Sequence, residues 1–261
     1  MIPKVIHYCW FGGNPKPKLA KKCIRSWKKY CPDYEILEWN ESNYDLSSAP
    51  LYVRQAYERK KWAFVTDYVR LQVVYDHGGI YLDTDVELLR SLDDLLENKA
   101  YFGFEDGECI ATGLGFGAEK GIQILKEMME QYHHCPFILP DGTYDLETCT
   151  ERNTKVFIQH GLQPNGKYQV LDDNVFILPE CVLRPYHDWK GTLNIVPETI
   201  SIHWYNASWQ PDSYKKDKES SVNKAKEMRR KEFFHCLPQR VLRKILGNAT
   251  VDRIKETLKR G

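Results

Sequence analysis

Apolar residues recur in two rhythms over the first 120 positions of the chain. Val5–Tyr8 is a short apolar run that ends near Gly12-Gly13, which predicts a strand followed by a loop. Pro17 opens a helical pattern carried by Leu19, Cys23, Ile24 and Trp27. Tyr34–Trp39 alternates and predicts a second strand. Residues 62–77 are apolar at helical spacing, and Gly78-Gly79 is expected to stop that helix. Ile80-Tyr81-Leu82 predicts a third strand that runs straight into Asp83-Thr84-Asp85. Tyr101–Phe104 and Leu114–Phe116 read as further strands, and Ile122–Tyr132 as a helix. Strands alternating with helices imply an α/β layer fold with a mostly parallel central sheet. Residues 135–200 give a weaker pattern, with short strand candidates at Val175–Leu178 and Ile200–Trp204.

Composition narrows the classes. At about 100–200 residues per domain, 261 residues make one large domain or two small ones. A 42% hydrophobic and 13% aromatic content supports a real core and excludes general disorder. The net charge of +1 argues against bulk binding of nucleic acid. No apolar run reaches the roughly 18 residues of a spanning helix. The opening MIPKVIHYCWFGG lacks the basic and apolar regions of a secretory signal. None of the eight cysteines is spaced as C-x-x-C, so reduced, mostly buried thiols and a cytoplasmic location are expected.

Charge is unevenly spread. Residues 213–261 hold 15 Lys+Arg against 6 Asp+Glu, whereas residues 1–212 hold 22 against 30. The expected division is therefore a main domain over 1–211 and a basic helical extension over 212–261. In that extension Val241, Leu242, Ile245, Leu246, Val251, Ile254 and Leu258 recur on one side and basic residues on the other. Such a helix either caps a core or leans on anionic lipid at the inner membrane face.

The chemistry concentrates in Asp83-Thr84-Asp85. Residues i and i+2 of a strand share a face, so the two carboxylates can meet in one small volume. They repel unless something positive lies between them, and oxygen ligands favour Mg²⁺ or Mn²⁺. In open α/β sheets ligands bind beyond the carboxyl ends of strands, where this pair falls. Upstream, Asp67 and Arg70 share a face of the apolar helix. A buried pair of this kind needs partners, and sugar hydroxyls would serve. His7, His77 and His160 are expected to be structural, and Glu105-Asp106-Gly107-Glu108 to be a turn with one acid facing an acceptor as the alternative.

The run Trp62–Leu89, WAFVTDYVRLQVVYDHGGIYLDTDVELL, resembles the sugar-binding region with the DXD motif in glycosyltransferase family 32. That family includes yeast-type mannosyltransferases and bacterial capsular-polysaccharide transferases. The run is more distantly similar to the glucosylating clostridial toxins. The opening Ile6–Gly13 and the stretch Ile202–Trp209 are similar to the same proteins, in the same order. The resemblance implies a Rossmann-like GT-A fold and a retaining hexosyl transfer from a nucleotide-sugar, UDP-hexose or alternatively GDP-mannose. It implies a glycan or lipid-linked glycan acceptor, as in capsular polysaccharide synthesis.

By the same resemblance, Trp10 stacks on the base and Asn43 touches base or ribose. Asp67 and Arg70 hold the donor sugar, and Tyr81 lies against phosphates or sugar. Asp83, Asp85 and His203 hold the metal, and Ser208 and Trp209 close over the diphosphate. The register of 203–209 leaves open which of His203, Asn206 and Ser208 touches metal, and Thr112-Gly113 stands where relatives often carry Asn. Two other classes share some features: a haloacid-dehalogenase-type phosphotransferase with Asp83 as nucleophile, and a non-catalytic sugar-binding protein.

Overall fold

A computed structural model describes residues 1–206 and 212–236. The chain runs β1 (Val5–Cys9), α1 (Lys18–Tyr30), β2 (Glu35–Trp39), α2 (Leu51–Glu58), α3 (Trp62–His77), β3 (Gly79–Tyr81), β4 (Val86–Leu88) and β5 (Ala100–Gly103). It continues through β6 (Phe116–Ala118), α4 (Gln123–His133), α5 (Cys149–Gln159), β7 (Gln169–Leu171), β8 (Val175–Leu178) and α6 (Glu180–Leu183). Then come β9 (Tyr186–His187), β10 (Thr192–Leu193), β11 (Ser201–His203) and α7 (Asp212–Cys236).

Seven strands form one sheet in the order β2-β1-β3-β6-β5-β8-β7. β1 pairs in parallel with β2 and β3, and β5 with β8, whereas β6 and β7 run against their neighbours. Five of the seven strands therefore point the same way, the Rossmann-like arrangement expected from the sequence. Period-2 alternation sends side chains to two cores, one on each face. Ile6, Ile80, Leu82 and Tyr101 enter one with Trp27 of α1, while Cys9, Tyr81, Phe102 and Phe116 enter the other with α3 and α4. Burial on both faces explains why these strands read as short apolar runs.

The sheet carries the site at the carboxyl ends of β1, β2 and β3. Gly79 makes the turn from α3 into β3: its φ is +111°, and a Cβ there would lie 2.8 Å from the Val5 carbonyl oxygen. A separate two-stranded sheet pairs β11 antiparallel to β4, with His203 opposite Val86. This return of the chain brings His203 beside a motif 118 residues earlier.

Three stretches differ from the pattern-based expectation. The strand expected at Leu114–Phe116 starts two residues later: Thr112–Leu114 forms a 3-10 turn, and Gly115 at φ +104° delays the extended run to Phe116. α2 was not signalled. α5 lies in the weakly patterned middle, where a capping box starts it: Thr148 accepts from the Glu151 N–H and Glu151 accepts from the Thr148 N–H.

The chain divides into two compact units. The first contains Met1–Tyr186 and the stretch from Leu193. The second, in its described residues, contains His187–Thr192 and α7, where Trp189 meets the Tyr214 ring edge-on at 5.2 Å and Lys218 lies 3.0 Å from Asp188. The apolar stripe expected at Val241–Leu258 lies outside the described residues. Among the described residues no helix is long and apolar enough to cross a membrane, and seven cysteines are free thiols.

Candidate active site

α3 is apolar on nearly all sides because it lies between the sheet and α2 and α4, and that burial governs its two charged residues. Arg70 is 3% exposed and Asp67 9%. They are not a surface ion pair: Arg70 Nη2 lies 2.9 Å from Asp67 Oδ1 and 3.5 Å from Asp83 Oδ1. The same guanidinium donates to the Thr66 carbonyl at 3.1 Å and to Thr112 Oγ1 at 3.4 Å, and covers the Tyr81 ring at 5.2 Å. Burial opposes its charge, but Asp83 and Asp67 hold it well above its ordinary pKa. It stays charged and neutralises two carboxylates that burial, partly countered by Arg70, pushes upward.

Asp83 and Asp85 follow β3 and share their space with His203 from β11. Ligand atoms of the three residues lie within 4.8 Å of one another. The two aspartates have different surroundings. Asp83 accepts from the Tyr81 hydroxyl at 2.8 Å and has Gly113 against its other oxygen, where a Cβ would lie only 2.8 Å away. Asp85 lies 3.2 Å from His203 Nε2 and accepts from the Asn206 N–H at 2.8 Å. Burial would raise Asp85, yet His203 and that N–H bring its pKa down to about 2. Burial opposes a charge on His203 as well, but Asp85 and Asp83 raise it. The pair of carboxylates therefore draws positive charge into the space between them.

Two carboxylate oxygens and an imidazole nitrogen form a donor set that suits Mn²⁺, and Mg²⁺ less well because of the nitrogen. His203 Nδ1 is buried with no hydrogen-bond partner among the described residues, so the ring is not fully committed to the protein. The residues present fit a divalent cation.

The remaining expected residues are spread around this centre. Trp10 follows β1, with its indole N–H donating to the Asn14 carbonyl at 2.6 Å and Lys16 Nζ over its ring at 5.5 Å. Tyr81 is fully buried, so it reaches the site through its bond to Asp83. Asn43 spends its amide on its own turn, donating to the Glu38 carbonyl and accepting from the Asn40 N–H. Ser208 and Trp209 lie outside the described residues. His7 is structural, as expected: it is fully buried between the Gly78 carbonyl at 2.8 Å and the Trp39 indole N–H at 3.0 Å.

Three residues at the centre were given no role from the sequence, although Thr112 was noted as standing where relatives often carry Asn. Thr112 accepts from Arg70 and, at 3.1 Å, from Asn153. Cys149, at the start of α5, lies 3.9 Å from Arg70 Nη1. Tyr205 packs edge-on against His203 with ring centroids 4.1 Å apart. The Thr148-x-x-Glu151 spacing was the available signal for α5; nothing local in the sequence joins α5 to Arg70.

Residues 17–102 match the family described as the glycosyltransferase sugar-binding region containing DXD motif. Inositol phosphoceramide mannosyltransferase 3 of Schizosaccharomyces pombe is 34% identical over 150 residues, covering 52% of this chain and 40% of that protein. The chain thus spans about two fifths of the length of that curated relative. These matches bear out the resemblance to glycosyltransferase family 32. Among solved structures, PaToxG glycosyltransferase is 19% identical at a TM-score of 0.47, covering 60% of this chain and 69% of that one. A glycosyltransferase involved in glycosylation of the major capsid of PBCV-1 is 12% identical at a TM-score of 0.44, covering 84% and 99%.

Proposed function

We propose that this chain, which carries a DXD-containing glycosyltransferase sugar-binding region, is a metal-dependent retaining glycosyltransferase. It moves a hexose from a nucleotide-sugar to a glycan or lipid-linked glycan. The observation that carries this reading is the convergence of Asp83, Asp85 and His203 within 4.8 Å, beside the buried Asp67–Arg70 pair. A cation-binding carboxylate pair next to a group that both donates and accepts hydrogen bonds suits a diphosphate joined to a sugar.

Asp85 and His203 would hold Mn²⁺ or Mg²⁺, with Asp83 reaching metal and ribose. When bound, the ion would offset charge building on the departing diphosphate. Asp67 accepts from donor sugar hydroxyls and Arg70 donates to them. Tyr81 and Arg70 fix Asp83 from behind, so its carboxylate needs little reorganisation. Trp10 offers a ring face to the base. The acceptor hydroxyl attacks from the face the diphosphate leaves, which retains anomeric configuration.

The curated relative is named a mannosyltransferase, which favours GDP-mannose over UDP-hexose as donor. The test is calorimetry with GDP and with UDP, each with and without Mn²⁺, followed by a nucleotide-sugar hydrolysis panel. Binding of one nucleotide only when Mn²⁺ is present, with slow hydrolysis of its sugar conjugate, is expected. Binding of free sugar with no nucleotide requirement would show a lectin, and a trapped aspartyl-phosphate would show a phosphotransferase.

We further assign residues 1–211 to the catalytic domain, with 212–261 as a basic extension. The protein works in the cytoplasm, and the extension rests on anionic lipid. Flotation with phosphatidylserine-rich liposomes should depend on residues 213–261; equal flotation without them would remove the extension from that role.

A further inference from the structure

A histidine that holds a metal is ordinarily oriented by a hydrogen bond from its second ring nitrogen. His203 has no such bond: Nδ1 is buried with no partner among the described residues. Its direction towards Asp85, with Nε2 3.2 Å from Oδ1, therefore depends on where the backbone puts it and on the Tyr205 ring against it. The backbone support is slight. β11 has three residues and forms a two-stranded sheet with β4, which also has three. A ribbon of that kind is marginal alone, and His203 is the last residue of its strand.

Two further sets of contacts supply what the ribbon lacks. Trp204, the next residue, donates its backbone N–H to the Asp85 carbonyl at 3.0 Å and its indole N–H to Glu87 Oε2 at 2.8 Å. It thus binds on both sides of Val86, the residue paired with His203. Glu87 is available because β4 alternates: Val86 and Leu88 enter the core, at 0% and 1% exposure, and Glu87 takes the opposite face. The same Oε2 accepts from Lys22 Nζ at 2.6 Å, and that ammonium lies over the Trp204 ring at 5.1 Å. Lys22 belongs to α1, which grips β4 at two more points. Trp27 donates its indole N–H to the Val86 carbonyl at 2.8 Å, and Ser26 Oγ accepts from the Leu88 N–H at 2.9 Å. α1 thus anchors β4, and Glu87 carries that anchor across to the residue beside His203.

We propose that Glu87 is a positioning residue of the cation site: its bond to the Trp204 indole holds His203 at Asp85. The inference rests on the metal-dependent glycosyltransferase reading above. Glu87 acts through Trp204 and the β4–β11 ribbon. Its charge is paired with Lys22, so what it passes to the site is the hydrogen bond.

The test measures the binding of Mn²⁺ alone to the full chain, following the free ion by electron paramagnetic resonance. Trp204→Phe keeps the aromatic ring and the backbone bond to Asp85 but removes the indole N–H. Glu87→Ala removes the acceptor. Each should raise the Kd for Mn²⁺ about tenfold. The double variant should bind no more weakly than either single variant, because the two substitutions break one bond. Glu87→Gln keeps an acceptor oxygen for the indole, so its Kd should stay within about threefold of wild type. Trp204→Phe carries the test even where Glu87→Ala lowers stability, since it leaves the carboxylate and its Lys22 pair in place. An unchanged Kd in Trp204→Phe would overturn this assignment alone, as would losses that add in the double variant. A loss in Glu87→Gln equal to that in Glu87→Ala would also overturn it, because charge and not the bond would then be acting. A wild-type protein that does not bind Mn²⁺ would overturn the metal-dependent reading and this assignment with it.

Discussion

On one rim of the site, Asp67, Arg70, Tyr81 and Asp83 come from a single helix and the strand that follows it. On the other, Glu105, Thr150, Arg184 and Tyr205 come from four separate parts of the chain, joined by the Thr150 hydroxyl on Glu105, the Glu105 carbonyl on Arg184 and the Arg184 guanidinium over the Tyr205 ring. The first rim is buried and held by side chains that carry opposite charge. The second has a single ion pair, Arg184 with Glu180, and otherwise leans on backbone groups: a carbonyl for Arg184, a helix start for Thr150, and left-handed backbone at φ +49° for Tyr205. Buried charge is costly unless paired, so the first rim can adopt few arrangements. It suits a donor that must be held in one pose. The second rim is free to adjust, which suits a varied acceptor.

The largest expected effect tests whether the cation site beside the first rim works through charge. Asp85→Asn should keep the Asn206 N–H bond and the fold but weaken the cation site. Turnover should fall about a thousandfold or more, equivalent to about 4 kcal/mol, with the denaturation midpoint nearly unchanged. Metal-dependent turnover near wild type in this variant would remove the charge argument.

Next is Arg70→Met, which leaves Asp67 and Asp83 buried without their cation. Breaking such a pair costs about 3–5 kcal/mol, to be read as a fall in urea midpoint. A loss below about 1 kcal/mol would mean that the rim is wetter than its burial implies.

The footing of that rim has its own pH dependence. Burial lowers the pKa of His7 from 6.5 to about 4. The neutral ring donates from Nε2 to the Gly78 carbonyl and accepts on Nδ1 from Trp39. The unfolded chain binds this proton near pH 6.5 and the folded chain only near pH 4. Stability from His7 is therefore complete above about pH 6.5 and is lost as pH falls towards 4, a change of about 3 kcal/mol. Urea midpoints at pH 7 and pH 4.5 should converge less steeply in His7→Gln than in wild type. Equal slopes would place the acid sensitivity elsewhere.

This contrast between rims is also why one was legible in the sequence and the other was not. Asp67, Arg70, Asp83 and Asp85 stand out because helical and strand periods place them within one βα neighbourhood, and their burial follows from the apolar residues around them. His203 needed the resemblance, since only the β4–β11 pairing returns it to the motif. Thr112 was marked only as a departure from relatives, and Cys149 and Tyr205 carry no local mark: their positions depend on how distant segments cross, and single-chain periodicity does not encode that. The strand expected at Leu114–Phe116 was displaced to Phe116–Ala118 for the same kind of reason. Apolar pattern favoured extension there, but the chain turns so that Gly113 can lie against Asp83.

The smallest effect belongs to the second rim and probes how it is held. Thr148→Ala removes one half of the capping box that starts α5, where Cys149 and Thr150 project towards Arg70 and Glu105. An N-cap of this kind contributes about 1 kcal/mol, which in a chain of this size lowers the melting temperature by about 2–4 °C. Fraying of the first turn would release Thr150 from Glu105 and loosen this rim, so turnover should fall several-fold while nucleotide binding with Mn²⁺ is retained. That pattern, a mild stability loss with a selective catalytic loss, is what a rim built from backbone and caps predicts. If Thr148→Ala instead destabilised the protein as much as Arg70→Met, or weakened nucleotide binding equally, the two rims would be one cooperative unit. The distinction between a fixed donor side and an adjustable acceptor side would then fall.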